Sequence, residues 1–230
     1  MITLAIETAT TVCGAALVCD GMDPIERVLD IPNIHSERLV PLIETLMTEA
    51  GIRVGQLECI AVSIGPGSFT GLRIGLSVAK GISFAAAVPL ISVPTLEALA
   101  YNVVRTGNAA PGTEIISLLD AHRGDAYKAV YRVVTEHTLE EISRASIAPY
   151  GEIAERLQSR NTIIIVGNAQ NCITLRPDLR QYWRSELSQC SPVSVGLIGI
   201  RRYHSGERAD RSSLEPQYLR EFVPRNNSGV

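Results

Sequence analysis

Three stretches of this 230-residue chain bring together side chains and backbone that could do chemistry. The first is Gly65-Pro66-Gly67-Ser68-Phe69-Thr70-Gly71, set between a continuous apolar run over 59–64 and a helical pattern that begins near Leu72. Glycines there permit positive φ and close backbone approach, and a helix start offers unpaired N–H groups to an anion. The loop lacks the G-x-x-x-x-G-K-[ST] order, so it is not a P-loop. Two readings stay open: an anion site using Gly65, Gly67 and Ser68, or a tight turn in which Gly71 and Gly75 let the helix lie close to a sheet. The second stretch is Glu7-Thr8-Ala9-Thr10-Thr11, an acid ending a strand and followed by hydroxyls. Glu7 and Thr10 suit the orientation of a metal-bound nucleotide, or equally a charged strand end with threonines filling a turn. The third, Asp120-Ala121-His122-Arg123-Gly124-Asp125, suits acid–base work or a turn held by its own ion pairs.

Metal, redox and membrane chemistry find little support. His35, His122, His137 and His204 are dispersed, no pair has helix-borne ligand spacing, and each reads as a surface or capping histidine. Cys13, Cys19, Cys59, Cys172 and Cys190 include no C-x-x-C pair, which fits a reducing compartment. The net charge of −3 gives no electrostatic footprint for nucleic acid, so any RNA is expected to be held through a partner. Arg201, Arg202, Arg208, Arg211, Arg220 and Arg225 enrich the C-terminal end, as a solvated surface or a contact. The first residues carry no basic signal region, and the apolar stretch 72–93 is broken by Arg73, Lys80 and Pro89. No membrane span and a cytoplasmic location are therefore expected.

Hydrophobic periodicity supplies the elements that must hold these stretches. Strands are predicted over 2–6, 12–19 and 26–31 as a meander, with Asp20-Gly21 as the hairpin turn signal after the second. Leu39, Leu42, Ile43, Leu46, Met47 and Ala50 then recur at helical spacing, with Gly51 as C-terminal cap; Pro41 makes this helix start close to Arg38 or kink. The run 59–64 reads as a strand buried on both faces, followed by a helix from Leu72, a strand over 89–93 and a helix over 95–104. The second half begins like the first, with strands over 114–119, 126–134 and 139–145, a helical stretch over 152–158, a strand over 162–166 and a weaker helical region. A last helix is predicted over 193–203, and 214–222 reads as a tail packing back on the body. The fold class is α/β with two mixed sheets flanked by helices: an N-terminal lobe 1–106, a reduced C-terminal lobe 107–213, and the tail 214–230.

Taken together, Ile6-Glu7-Thr8-Ala9-Thr10, His35-Ser36-Glu37-Arg38-Leu39-Val40-Pro41-Leu42-Ile43, Ser63 to Gly75 around the glycine loop, Asp120 to Asp125 and Pro216-Gln217-Tyr218-Leu219-Arg220 resemble the TsaB (YeaZ) family over nearly the whole chain. That resemblance implies two ribonuclease-H-like lobes in an actin-like (ASKHA) arrangement. It also implies a subunit that supports a TsaD-like paralogue and a TsaE-like ATPase in forming N6-threonylcarbamoyladenosine beside the tRNA anticodon, and that forms homodimers when alone. In TsaD-like proteins an H-x-E-x-H pattern follows the glycine segment; here Thr95 and Leu99 occupy the two imidazole positions. A hydroxyl and an isobutyl group cannot replace two nitrogen donors, so no metal site and no catalytic residue are carried over. No tightly bound cofactor is expected, with ATP or ADP only at a partner interface. The implied partner surface lies on the first two helices, at Leu39, Leu42, Ile43, Leu46, Arg73, Gly75, Leu76, Ala79 and Ser83. The competing expectation is an actin-like-fold ATPase or phosphotransferase acting alone, with Glu7 or Asp120, Mg²⁺ and the glycine loop.

Overall fold

A three-stranded meander and two parallel strands build the first sheet. The structure, a computed structural model, describes residues 1–157 and 163–220. In order come β1 (Ile2–Glu7), β2 (Val12–Cys19), β3 (Ile25–Asp30), α1 (His35–Glu49), β4 (Cys59–Gly65), α2 (Phe69–Ala86), β5 (Leu90–Pro94) and α3 (Thr95–Arg105). The strands lie in the order β3-β2-β1-β4-β5, with β1 antiparallel to β2 and parallel to β4. A parallel strand covered on both faces has no solvent side, which is why β4 shows no polar alternation, with a buried Ser63 in its otherwise apolar run.

The second sheet repeats that order with one strand fewer. β6 (Glu114–Asp120), β7 (Asp125–Thr135), β8 (Thr138–Pro149), α4 (Tyr150–Arg156), β9 (Ile163–Gly167), α5 (Asn171–Thr174) and α6 (Pro192–His204) follow, with strand order β8-β7-β6-β9. The weaker helical region is the single turn α5 followed by 3₁₀ turns. Residues 158 and 162, with which two predicted elements end and begin, lie outside the described residues, as do 221, 222 and Arg225.

The layers run α1 and α2, first sheet, α3 and α6, second sheet, α4 and α5. Small residues permit the middle layer: a Cβ on Gly199 would stand 2.4 Å from Ala61 Cβ, and one on Gly196 2.5 Å from Val18 Cγ2. These contacts seat α6 on the first sheet, although it follows the second in sequence. The predicted lobe 107–213 is corrected accordingly, because its last helix packs with residues 5, 16, 18 and 61. Two helix starts are corrected as well. α1 begins at His35, ahead of Arg38, and runs through Pro41; both Pro41 and Glu37 are exposed, so water can satisfy the carbonyl that proline leaves unbonded. α2 begins at Phe69 because the Ser68 hydroxyl accepts the Gly71 N–H at 3.2 Å and caps the helix.

Candidate functional site

The two lobes enclose a cleft of about 1050 Å³. Thr10, Gly67, Ser68 and Thr70 line it from the first lobe, Asp120, His122, Arg123 and Asp125 from the second, and Tyr218 and Arg220 from the C-terminal segment. Of the candidate nucleotide or anion residues, the structure thus gathers Thr10, Gly67 and Ser68 on one wall and leaves Glu7 and Gly65 off it.

Side-chain alternation along β1 decides the fate of Glu7. Leu4 and Ile6 face α1 and α2, while Ala5 faces the middle layer, and Glu7 shares the parity of Ala5. Its side chain is fully buried; Oε1 accepts the Ala9 N–H at 2.6 Å, and Oε2 has no hydrogen-bond partner among the described residues. Burial pushes its carboxyl up to about 7, the Ala9 N–H offsetting only part of the effect. The neighbouring Cys190 thiol is also pushed well up, first by burial and then by the Glu7 charge. A buried carboxylate off the cleft wall is not placed to hold a metal-bound nucleotide there.

Gly67 and Gly71 of the loop pack against the β1–β2 turn, while Ser68, Phe69 and Thr70 between them are exposed on the cleft wall. A Cβ on Gly67 would lie 2.2 Å from Ala9 O, one on Gly71 2.2 Å from Thr8 O, and one on Gly75 2.1 Å from Thr8 Oγ1. The Ser68 N–H donates to Ala9 O at 2.7 Å, so this donor, like that of Gly71, is committed within the chain. Gly65 has φ of +114°, and its N–H donates to Thr95 Oγ1 at 3.1 Å. Of the two readings left open by sequence, the geometry supports close helix-on-sheet packing.

Across the cleft, Asp120 closes β6. Its Oδ1 accepts the Tyr150 hydroxyl at 2.5 Å and the His122 N–H at 2.7 Å, and its backbone N–H donates to Asn168 Oδ1 at 2.7 Å. Burial alone raises the Asp120 carboxyl, but the Tyr150 and His122 hydrogen bonds and the His122 charge outweigh it and hold the group below its usual range. Burial and then Asp120 push Tyr150 up to about 12. His122 and Arg123 both sit at positive φ, 61° and 58°, in a turn closed by the Asp125 N–H on His122 O at 3.2 Å. Arg220 pairs with Asp125. This motif is a rigid turn held by its own bonds that also faces the cleft.

Thr95 and Leu99 are both buried, Thr95 engaged with Gly65 and Leu99 inside the core. Among the described residues no group of three or more His, Cys, Asp or Glu is placed to hold a metal ion, and no helix is long and apolar enough to cross a membrane. The histidine reading is corrected at His35, which is buried with Nε2 3.0 Å from Val12 O, a contact that requires the proton on that nitrogen.

The expected contact residues on α1 and α2 are corrected too. Leu39, Leu42, Ile43, Leu46, Leu76, Ala79 and Ser83 are buried, all but Ser83 in the core beneath the two helices; Arg73 alone of the set, with Gly75 also buried, is exposed. A side chain spent on the sheet is not available to a partner. What these helices leave outside is Val40 at 47%, Phe69 at 37% and Phe84 at 78% exposure. Val40 and Phe84 carry the signal of apolar residues on the polar face of each helix; Tyr218, which packs against Phe69, lies in the 216–220 segment, whose apolar pattern does not point to this contact.

A family model described as TsaD: tRNA N6-adenosine threonylcarbamoyltransferase matches residues 32–164. The tRNA threonylcarbamoyladenosine biosynthesis protein TsaB of Escherichia coli K12 is 36% identical over 129 residues, which are 56% of this chain and 54% of that protein. The chain thus spans about half the length of the curated relatives it matches. YeaZ from Pseudomonas aeruginosa superposes with a TM-score of 0.83 at 24% identity, over 95% of this chain and 99% of that one. Component A of the (R)-2-hydroxyglutaryl-CoA dehydratase of Acidaminococcus fermentans shares the fold, with a TM-score of 0.53 at 9% identity over 89% and 99% of the two chains. The architecture shared with these structures is two mixed sheets flanked by helices. Matched by that model over more than half its length, the chain belongs to the TsaD family, and within it resembles TsaB and YeaZ.

Proposed function

We propose that the chain is a non-catalytic partner subunit in the formation of N6-threonylcarbamoyladenosine on tRNA. It docks a TsaD-like paralogue through the outer face of α1 and α2, works with a TsaE-like ATPase, and pairs with a second copy of itself when alone. Nucleotide enters only at a partner interface, tRNA is reached indirectly, and the setting is the cytoplasm. The observation that carries this reading is the pair Thr95 and Leu99, buried where the resemblance places two imidazole ligands in TsaD-like proteins. The likeness to TsaB supports the pathway, and exposed Phe84 and Val40 support the face, since large aromatic side chains dominate association energies.

The test is reconstitution. The purified chain, the TsaD-like and TsaE-like proteins of the same source, ATP and tRNA are combined in every subset, and modified adenosine and ATP hydrolysis are measured. Modification is expected only when the paralogue is present, with the chain raising its rate. ATP turnover or modified tRNA from the chain alone would overturn the reading and favour the stand-alone ATPase.

A further inference from the structure

Residues 207–220 cross the molecule as a strap that touches both lobes. The Ala209 N–H donates to Leu90 O at 2.8 Å on the edge of the first sheet, and Arg211 donates to Ser83 O on α2 at 2.9 Å. The Gln217 N–H donates to Ile64 O at 2.6 Å. Tyr218 then packs against Phe69 with ring centroids 5.0 Å apart, while its hydroxyl accepts from Arg73 Nε at 3.1 Å and the Arg73 guanidinium lies 4.2 Å over Phe69. Two residues later Arg220 pairs with Asp125 on the opposite lobe. Its anchor there is stiff, because the turn before Asp125 is held by consecutive positive-φ residues and by the bonds of Asp120.

Two residues of chain span at most about 7 Å, so Arg220 cannot follow the second lobe far without pulling on Tyr218. We propose that the strap couples the interlobe cleft to the partner-docking face: Arg220 follows the Asp125 turn, and Tyr218 sets the packing of Phe69 and Arg73 at the start of α2. This inference rests on the reading that the α1 and α2 face docks a partner. Whatever draws the lobes together at the Asp125 turn orders the aromatic cluster for docking, and lobe separation loosens it. Coupling of this kind is reciprocal, so a docked partner also holds the lobes together.

The experiment uses the full chain with Arg220→Ala, Asp125→Ala, and the charge swap Asp125→Arg with Arg220→Asp. Both side chains are partly exposed, 32% and 28%, so the variants are expected to fold. Two quantities are read: hydrogen exchange of the Gln217 amide in the chain alone, and affinity for the purified TsaD-like paralogue. Each single variant is expected to speed Gln217 exchange and to weaken association by about two- to five-fold, the range of a partly exposed ion pair, and the swap is expected to restore both. Unchanged exchange and affinity in the single variants, or a swap no better than they are, would overturn the coupling. Failure of the wild-type chain to associate at all would instead remove the docking reading, and the exchange data would still decide whether Arg220 holds the strap.

Discussion

Glu7 ends β1 with a carboxylate oxygen that has no hydrogen-bond partner among the described residues, and its chemistry follows from that burial. The folded state raises its pKa from the usual carboxylate range to about 7, so between those values the folded chain binds the proton that the unfolded chain has released. Stability attributable to this group is therefore present at low pH and falls as pH rises toward 7, by up to about 3 kcal/mol. Glu7→Gln is expected to remove that slope, leaving the variant more stable than wild type at pH 8 and close to it at pH 5 in urea unfolding. A second, largely buried acid is also pushed up by burial, but two arginines offset part of the effect. Glu97, at 14% side-chain exposure, accepts from Arg202 at 2.6 Å and from Arg201 at 3.4 Å. Arg202→Ala removes the shorter partner and is expected to cost about 2–3 kcal/mol in the same measurement. In sequence both residues are simply acids among apolar neighbours; which one meets a cation depends on α6, whose residues lie about a hundred positions further on.

At the scale of elements, the glycines of the loop and of α2 divide by what stands beside them. Gly71 and Gly75 face Thr8 at distances no Cβ can share, whereas nothing lies within 4 Å of a Cβ on Gly81 in the same helix. Gly71→Ala and Gly75→Ala are expected to destabilise by about 2–4 kcal/mol, and Gly81→Ala to stabilise by about 0.5–1 kcal/mol, as read from denaturant midpoints. The packing role of Gly71 and Gly75 was one of two readings open in the sequence. It was not separable there from an anion site, because the partner surface, Thr8 and Ala9, belongs to another turn of the chain. The strands and most helices were legible because apolar spacing is a local property. α2 starts three residues ahead of the start that apolar spacing predicts, because its cap, Ser68, lies within the glycine loop.

At the scale of the molecule, Phe84 tests the docking face. At 78% exposure it adds little to the fold, so Phe84→Ser is expected to leave the unfolding midpoint within about 0.5 kcal/mol while reducing affinity for the TsaD-like paralogue more than ten-fold, as measured by calorimetry. The amino-acid order alone determined most of the succession of strands and helices, the partial repeat of that succession in the second half, and the apolar stripe of α1 and α2. Tertiary packing alone decided that this stripe is consumed by the first sheet, that α6 returns to that sheet, that Glu7 lies off the cleft, and that a strap joins Phe69 to Asp125. The division has a physical cause: backbone preference and hydrophobic period act over a few residues, whereas which side of an element is buried, and against what, is set by segments distant in sequence that compete for the same surface.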